Sequence, residues 1–260
     1  MHPNGRFIYF KSNDDDVGKL EIDSNGNFLN SQNFSNAFWV GVMPISPSGN
    51  FIWTFHTSSV YQSSISIDPI TGNLLSSTSN NNNLITITSG GPPYFYPSGN
   101  CIYSLDGNYQ YCAHKHGVDS GVIKQMSVNS TTMFQLTPYN VTVETDSSNQ
   151  GPKSIVLHPN GNYIFAYGVT NLKSYSINTG TGVINAAALS TVPAPGSCVA
   201  STSNTLLAIH TSGNYLYTVC NPTGLLASYP VSATGVISPH TSTISSGGSS
   251  DYRVIFVNGN

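Results

Sequence analysis

An all-β fold of repeated four-stranded antiparallel sheets is predicted by three observations. One phrase of about ten residues returns along the chain, its copies lie about fifty residues apart, and no segment carries a capped helical 3.6-residue apolar period. The fullest copy is His158-Pro159-Asn160-Gly161-Asn162-Tyr163-Ile164-Phe165-Ala166-Tyr167. Pro159 presets φ for the first corner of a turn, Asn160 fits the second, and Gly161 can take the positive φ that closes a hairpin. In the strand that follows, Tyr163, Phe165 and Tyr167 alternate with Ile164 and Ala166, so both faces require cover.

The phrase returns as His2-Pro3-Asn4-Gly5-Arg6-Phe7, Ser46-Pro47-Ser48-Gly49-Asn50-Phe51 and His210-Thr211-Ser212-Gly213-Asn214-Tyr215, and in short form as Asp106-Gly107-Asn108-Tyr109. The chain ends on Val257-Asn258-Gly259-Asn260, the start of a further copy. Gly5, Gly49, Gly107, Gly161, Gly213 and Gly259 thus mark five units at intervals of 44, 58, 54, 52 and 46 residues. Tyr96-Pro97-Ser98-Gly99-Asn100 also matches the phrase. Gly107 is the better marker, because only from there does the next strand fall at the expected distance.

Within each unit a second alternating segment follows a polar loop: Lys19–Asp23, Ser64–Asp68, Ile123–Val128, Lys173–Ile177 and Ala227–Val231. A second Asn/Asp/Gly turn comes next, at Ser24–Asn27, Asp68–Asn73, Thr179–Gly182 and Ala233–Gly235, leading to short third strands such as Asn73–Leu75 and Val183–Asn185. The Ser/Asn/Gly/Pro-rich stretches Thr78–Pro93, Pro138–Pro152, Ser190–Gly196 and His240–Asp251 read as connections. A fourth strand enters the next turn, at Trp39–Val42, Cys101–Ser104, Ser154–Leu157, Leu206–Ile209 and Tyr252–Phe256. Such a sheet is apolar on both faces and needs neighbours stacked against it, which is the pattern of β-propeller blades around a channel.

At 260 residues with even repeats, residues 1–260 read as one propeller domain. Charged residues make up 7% and the net charge is −3, so clustered cations for nucleic-acid phosphates are lacking. No apolar run is long enough to span a membrane, and Met1 opens no signal peptide. The polar, uncharged composition suits an extracellular, periplasmic or cell-surface protein. Met1 and Asn260 both interrupt the repeat, which points to a fragment whose export signal lies elsewhere. Cys101, Cys112, Cys198 and Cys220 lack metal-ligand spacing. A cross-strand bridge between Cys101 and Cys112 requires a two-residue loop, a three-residue loop turns the sulfurs apart, and buried free thiols are the simpler reading.

The phrase His-Pro-Asn-Gly-Asn-Tyr-Ile-Phe, the later Tyr-Ser-Ile-Asn-Thr-Gly-Thr-Gly, and Gly151-Pro152 before an innermost strand resemble the lactonase-type, YVTN-repeat β-propeller family, which includes 6-phosphogluconolactonase-like enzymes. The resemblance covers the whole chain and implies seven blades in the complete fold. The five units here are either an open arc of such a ring or a ring that closes on itself.

Lactonase-like propellers are expected to hold ligands at the end opposite the marker turns. His2, His158 and His210 sit in those turns and read as structural. His56 and His114 each lie seven residues beyond a marker glycine, with His116 two further on, and are the candidate catalytic bases. Lys153, after Gly151-Pro152, and Arg253 are candidate ligand-binding cations for an anionic substrate. No metal site or cofactor is expected. The scarcity of charge favours a binding or surface-interaction scaffold for a small-molecule, carbohydrate or protein ligand over the alternative, a sugar-lactone hydrolase.

Overall fold

The structure is a computed structural model that describes residues 2–11, 16–34, 43–55, 62–80, 97–115, 121–128, 141–146, 152, 154–168, 170–195, 206–220 and 224–245. All regular structure among them is β. No described helix is long and apolar enough to cross a membrane. The strands are β1 (Phe7–Lys11), β2 (Val17–Ile22), β3 (Phe28–Phe34), β4 (Phe51–Phe55), β5 (Gln62–Ile67), β6 (Leu74–Asn80), β7 (Pro97–Tyr103), β8 (Tyr109–Lys115) and β9 (Gly121–Ser127). They continue with β10 (Val141–Asp146), β11 (Ser154–Leu157), β12 (Tyr163–Tyr167), β13 (Asn171–Ser176), β14 (Ser190–Pro193), β15 (Leu206–Ile209), β16 (Tyr215–Cys220), β17 (Leu225–Pro230) and β18 (Ser242–Ser245).

These form five antiparallel sheets in sequence order: β1-β2-β3, β4-β5-β6, β7-β8-β9-β10, β11-β12-β13-β14 and β15-β16-β17-β18. Four strands per unit hold for three described sheets, and the first two have three. Before the Gly49 turn the described chain makes only an isolated bridge from Ile45 to Ile52. The expected strands Trp39–Val42 and Tyr252–Phe256 lie outside the described residues.

The outermost strands differ from the sequence reading. β10, β14 and β18 fall in stretches expected to be connections, while Val183–Asn185 contributes only the bridge between Ile177 and Ile184. For β18 the physical reason is exposure: Ser242–Ser245 is exposed throughout, and a strand with no buried face carries no apolar alternation. β14 is four residues long with Val192 its one buried side chain, too short to show a period.

The marker turns form as their residues dictate. Gly161 has φ 77° and its N–H reaches the His158 carbonyl at 2.8 Å, while His158 N–H donates to Tyr163 O at 2.9 Å. Gly107 has φ 74°, whereas Gly99 lies within β7, which decides the marker of the third unit. Four residues separate the bonded Ser104 and Tyr109. That even count keeps parity across the hairpin and places Cys101 opposite Cys112. The two are joined by a disulfide with Cα atoms 4.1 Å apart, Cys220 is disulfide-bonded as well, and no described cysteine is free. The free-thiol reading is therefore corrected.

The chain divides into two compact units. The first comprises Met1–Pro97, Tyr103–Gln110 and Met126–Tyr139, the second Ser98–Ile102, Tyr111–Gln125 and Asn140–Asn260. In the first, Phe7 and Tyr9 of β1 pack against Ile52 and Ile65 of the next sheet. In the second, Phe165 and Tyr167 of β12 pack with Leu207, Leu216 and Tyr229. In both clusters one sheet offers aromatic residues to its successor, which receives them on Ile or Leu.

Polar bonds fix the same stacking. Tyr9 donates its hydroxyl to Gly72 O at 2.7 Å and Tyr111 to Gly182 O at 2.9 Å, each four residues past its marker glycine and each reaching a glycine of a second turn. His2 accepts Asn4 N–H on Nδ1, so Nε2 carries the proton and donates to Gly49 O at 3.0 Å. His158 and His210 accept the equivalent N–H from Asn160 and Ser212. These turn histidines have the structural role expected of them.

Candidate functional site

Of the residues singled out from sequence, His56, His116, Lys153 and Arg253 lie outside the described residues. His114 contributes its backbone to β8, and its side chain lies outside them too. No three described His, Cys, Asp or Glu side chains converge as metal ligands.

The described residues instead form a groove of about 560 Å³ in the first unit, lined by Arg6, Lys19, Glu21, Asn30, Ser31, Gln32, Ile70, Thr71 and Asn73. Strand direction explains its position. β1 begins at the marker turn and pairs Phe7 with Glu21, so Arg6, the end of β2 and the start of β3 share the turn end of the first sheet. The second turn of the next sheet supplies residues 70–73.

The groove is polar and ordered. Arg6 Nη2 donates to Glu21 Oε1 at 2.9 Å, and Asn30 Nδ2 donates to Glu21 Oε2 at 3.2 Å. The Asn30 amide first, and Arg6 second, hold the Glu21 carboxyl below the usual carboxylate range. Lys19 is 4% exposed; its ammonium donates to Thr71 O at 3.0 Å and Asn73 Oδ1 at 2.7 Å and lies 5.2 Å from the Phe7 ring centroid. Gln32 accepts Leu74 N–H at 3.0 Å and donates to Leu74 O at 3.3 Å. Ile70, 77% exposed, adds an apolar surface.

Aligned repeats would have exposed this site in the sequence. The residue after the marker glycine is Asn50, Asn108, Asn162 and Asn214 in the other units but Arg6 in the first. The positions matching Glu21, counted from the residue whose N–H bonds back to that site, hold Ser66, Ser127, Ser176 and Pro230, and those matching Lys19 hold Ser64, Gln125, Ser174 and Ser228. Three charges replace neutral residues in one unit of a chain with 7% charge.

Comparison with family models finds no match, and no curated protein matches the sequence. Solved structures do match. A candidate 6-phosphogluconolactonase from Bacteroides uniformis superposes with a TM-score of 0.66 at 15% identity, covering 93% of this chain and 69% of that one. The periplasmic gluconolactonase PpgL of Pseudomonas aeruginosa gives 0.59 at 16% identity over 91% of this chain and 66% of that one. The Swd1 β-propeller domain of Myceliophteria thermophila gives 0.51 at 12% identity, over 90% and 64%.

Proposed function

Proceeding from a lactonase-like β-propeller fold, we propose that this chain is a binding or surface-interaction scaffold that works outside the cytoplasm. The observation that carries the location is the disulfide between Cys101 and Cys112, with Cys220 in a disulfide of its own. Disulfides persist in oxidising compartments and are rare in the cytosol. The scaffold half rests on charge. Lys19 is held between neighbouring sheets and Arg6 is paired with Glu21, so neither is poised for acid–base chemistry.

The second reading is a 6-phosphogluconolactonase-like hydrolase of sugar lactones. It is favoured by what two neighbours are described as, a candidate 6-phosphogluconolactonase and a periplasmic gluconolactonase. In it His56, His114 or His116 takes the proton from the attacking water, while Lys153 and Arg253 hold the anionic end of the substrate. These groups would have to lie in mutual reach of one substrate. Hydrolysis of a panel of sugar lactones separates the readings, with His56→Ala and His114→Ala as comparators. The scaffold reading expects background rates throughout. Turnover that either substitution abolishes establishes the hydrolase.

A further inference from the structure

We propose that the groove at the turn end of the first two sheets binds a neutral saccharide. The inference goes beyond the scaffold reading, since it concerns residues remote in sequence from the proposed lactone site and holds whichever way the lactone assay falls.

The repeat is its own control. Where the other units carry Asn and Ser or Pro, the first carries Arg6 and Glu21, in a chain that otherwise avoids charge. The sheets of the other units form without these residues, so folding does not require them. Their side-chain hydrogen bonds are to each other and to Asn30, and the Arg6 guanidinium also lies 5.2 Å from the Phe7 ring centroid.

The chemistry selects the ligand. The Lys19 ammonium is buried and taken up by Thr71 O and Asn73 Oδ1, so an anion entering the groove meets the Glu21 carboxylate and a cation meets the Arg6 guanidinium, and a full charge of either sign gains one partner and is repelled by the other. A polyol uses both, one hydroxyl donating to the carboxylate while its neighbour accepts from the guanidinium. Bonds to ionised partners are the stronger kind. Arg6, Glu21 and Asn30 are planar groups already held by one another, so little side-chain freedom is lost on binding. Ile70 gives the C–H face of a sugar ring an apolar surface. A volume of about 560 Å³ falls inside the range of roughly 300–1,000 Å³ common for small-molecule sites.

The test titrates the full chain with maltose, cellobiose, lactose and N,N′-diacetylchitobiose, and with digalacturonic acid as the acidic comparator, by ligand-observed NMR and calorimetry. At least one neutral disaccharide should bind. The variant Arg6→Asn with Glu21→Ser, which restores the residues of the other units, should weaken that binding about tenfold or more. Should it fail to fold by circular dichroism, Ile70→Glu on the exposed turn takes its place and must give the same loss. The proposal is overturned if no neutral disaccharide binds, if the variant binds as tightly as the wild type, or if digalacturonic acid binds more tightly than every neutral sugar.

Discussion

At the junction of the first two sheets, Lys19 and Gln32 reach across to the second turn of the neighbour, bonding Thr71 O, Asn73 Oδ1 and both backbone groups of Leu74. At the junction of the last two, Ser190 does this alone, its hydroxyl taking the Ile237 N–H at 2.9 Å while bonded to Ser174. Leu74 and Ile237 both stand two residues past a second-turn glycine, and Gln32 faces Lys19 across its sheet as Ser190 faces Ser174. The backbone site being clamped is thus constant and the clamping side chain is free to vary. A long cation at the first junction is a choice the fold does not impose, which is why departures from the repeat are informative about function.

The comparison holds only if the two junctions share an equally essential core, and the largest expected effect tests that. Phe7→Ala and Phe165→Ala each delete a fully buried ring, and each should cost about 3–5 kcal/mol by equilibrium urea unfolding. Phe7→Ala should be the costlier, because Lys19 and Arg6 both lie 5.2 Å from that ring. A tolerated Phe7→Ala would break the parallel.

Removing the bridge with Cys101→Ser and Cys112→Ser should cost about 2–4 kcal/mol. In dithiothreitol, which also reduces the disulfide at Cys220, the wild type and that variant should unfold at the same urea midpoint, at or below that of the unreduced variant.

The marker turns sharpen the comparison further. Gly5 has φ 74° with open space where a Cβ would stand, so Gly5→Ala should cost only its backbone strain, about 1–2 kcal/mol. At Gly213, φ 78°, a Cβ would run into the His158 imidazole. Gly213→Ala should therefore lower the urea midpoint clearly more than Gly5→Ala.

The smallest effect is electrostatic. Glu21 ionises below its unfolded value, so its contribution is complete above about pH 4.5 and is lost as pH falls through the lowered folded value. Asp23, Asp68 and Asp106 are lowered by turn hydrogen bonds and share that acid limb. Thermal melts from neutral to acid pH should show a shallower decline for Glu21→Gln than for the wild type.

What the sequence disclosed follows the same division between repeat and departure. The marker glycines, the strand after each and the second turns were readable because local chemistry determines them: Pro or Ser before a glycine, then alternating aromatic residues. The outer strands β14 and β18 were not, because four residues with one buried side chain or none carry no alternation that signals a strand, and β10 lies inside a Ser/Asn-rich stretch. The Cys101–Cys112 bridge turned on the parity of one loop, which four residues or two would satisfy alike. The groove was overlooked for another reason. Arg6 is a single cation in one copy of a turn, its meaning emerges only when the repeats are set side by side, and residues 6, 19–21, 30–32 and 70–73 converge only once two sheets stack.

The central claim is that Arg6 and Glu21 are spare to the fold and present for a ligand. The most direct measurement is the urea unfolding of the variant Arg6→Asn with Glu21→Ser beside the wild type, at neutral pH and without sugar. A midpoint lowered only slightly is the predicted result, since an ion pair with one partner open to solvent contributes little. A drop in midpoint as large as that of Gly213→Ala would contradict it, and would make the pair a structural lock between strands.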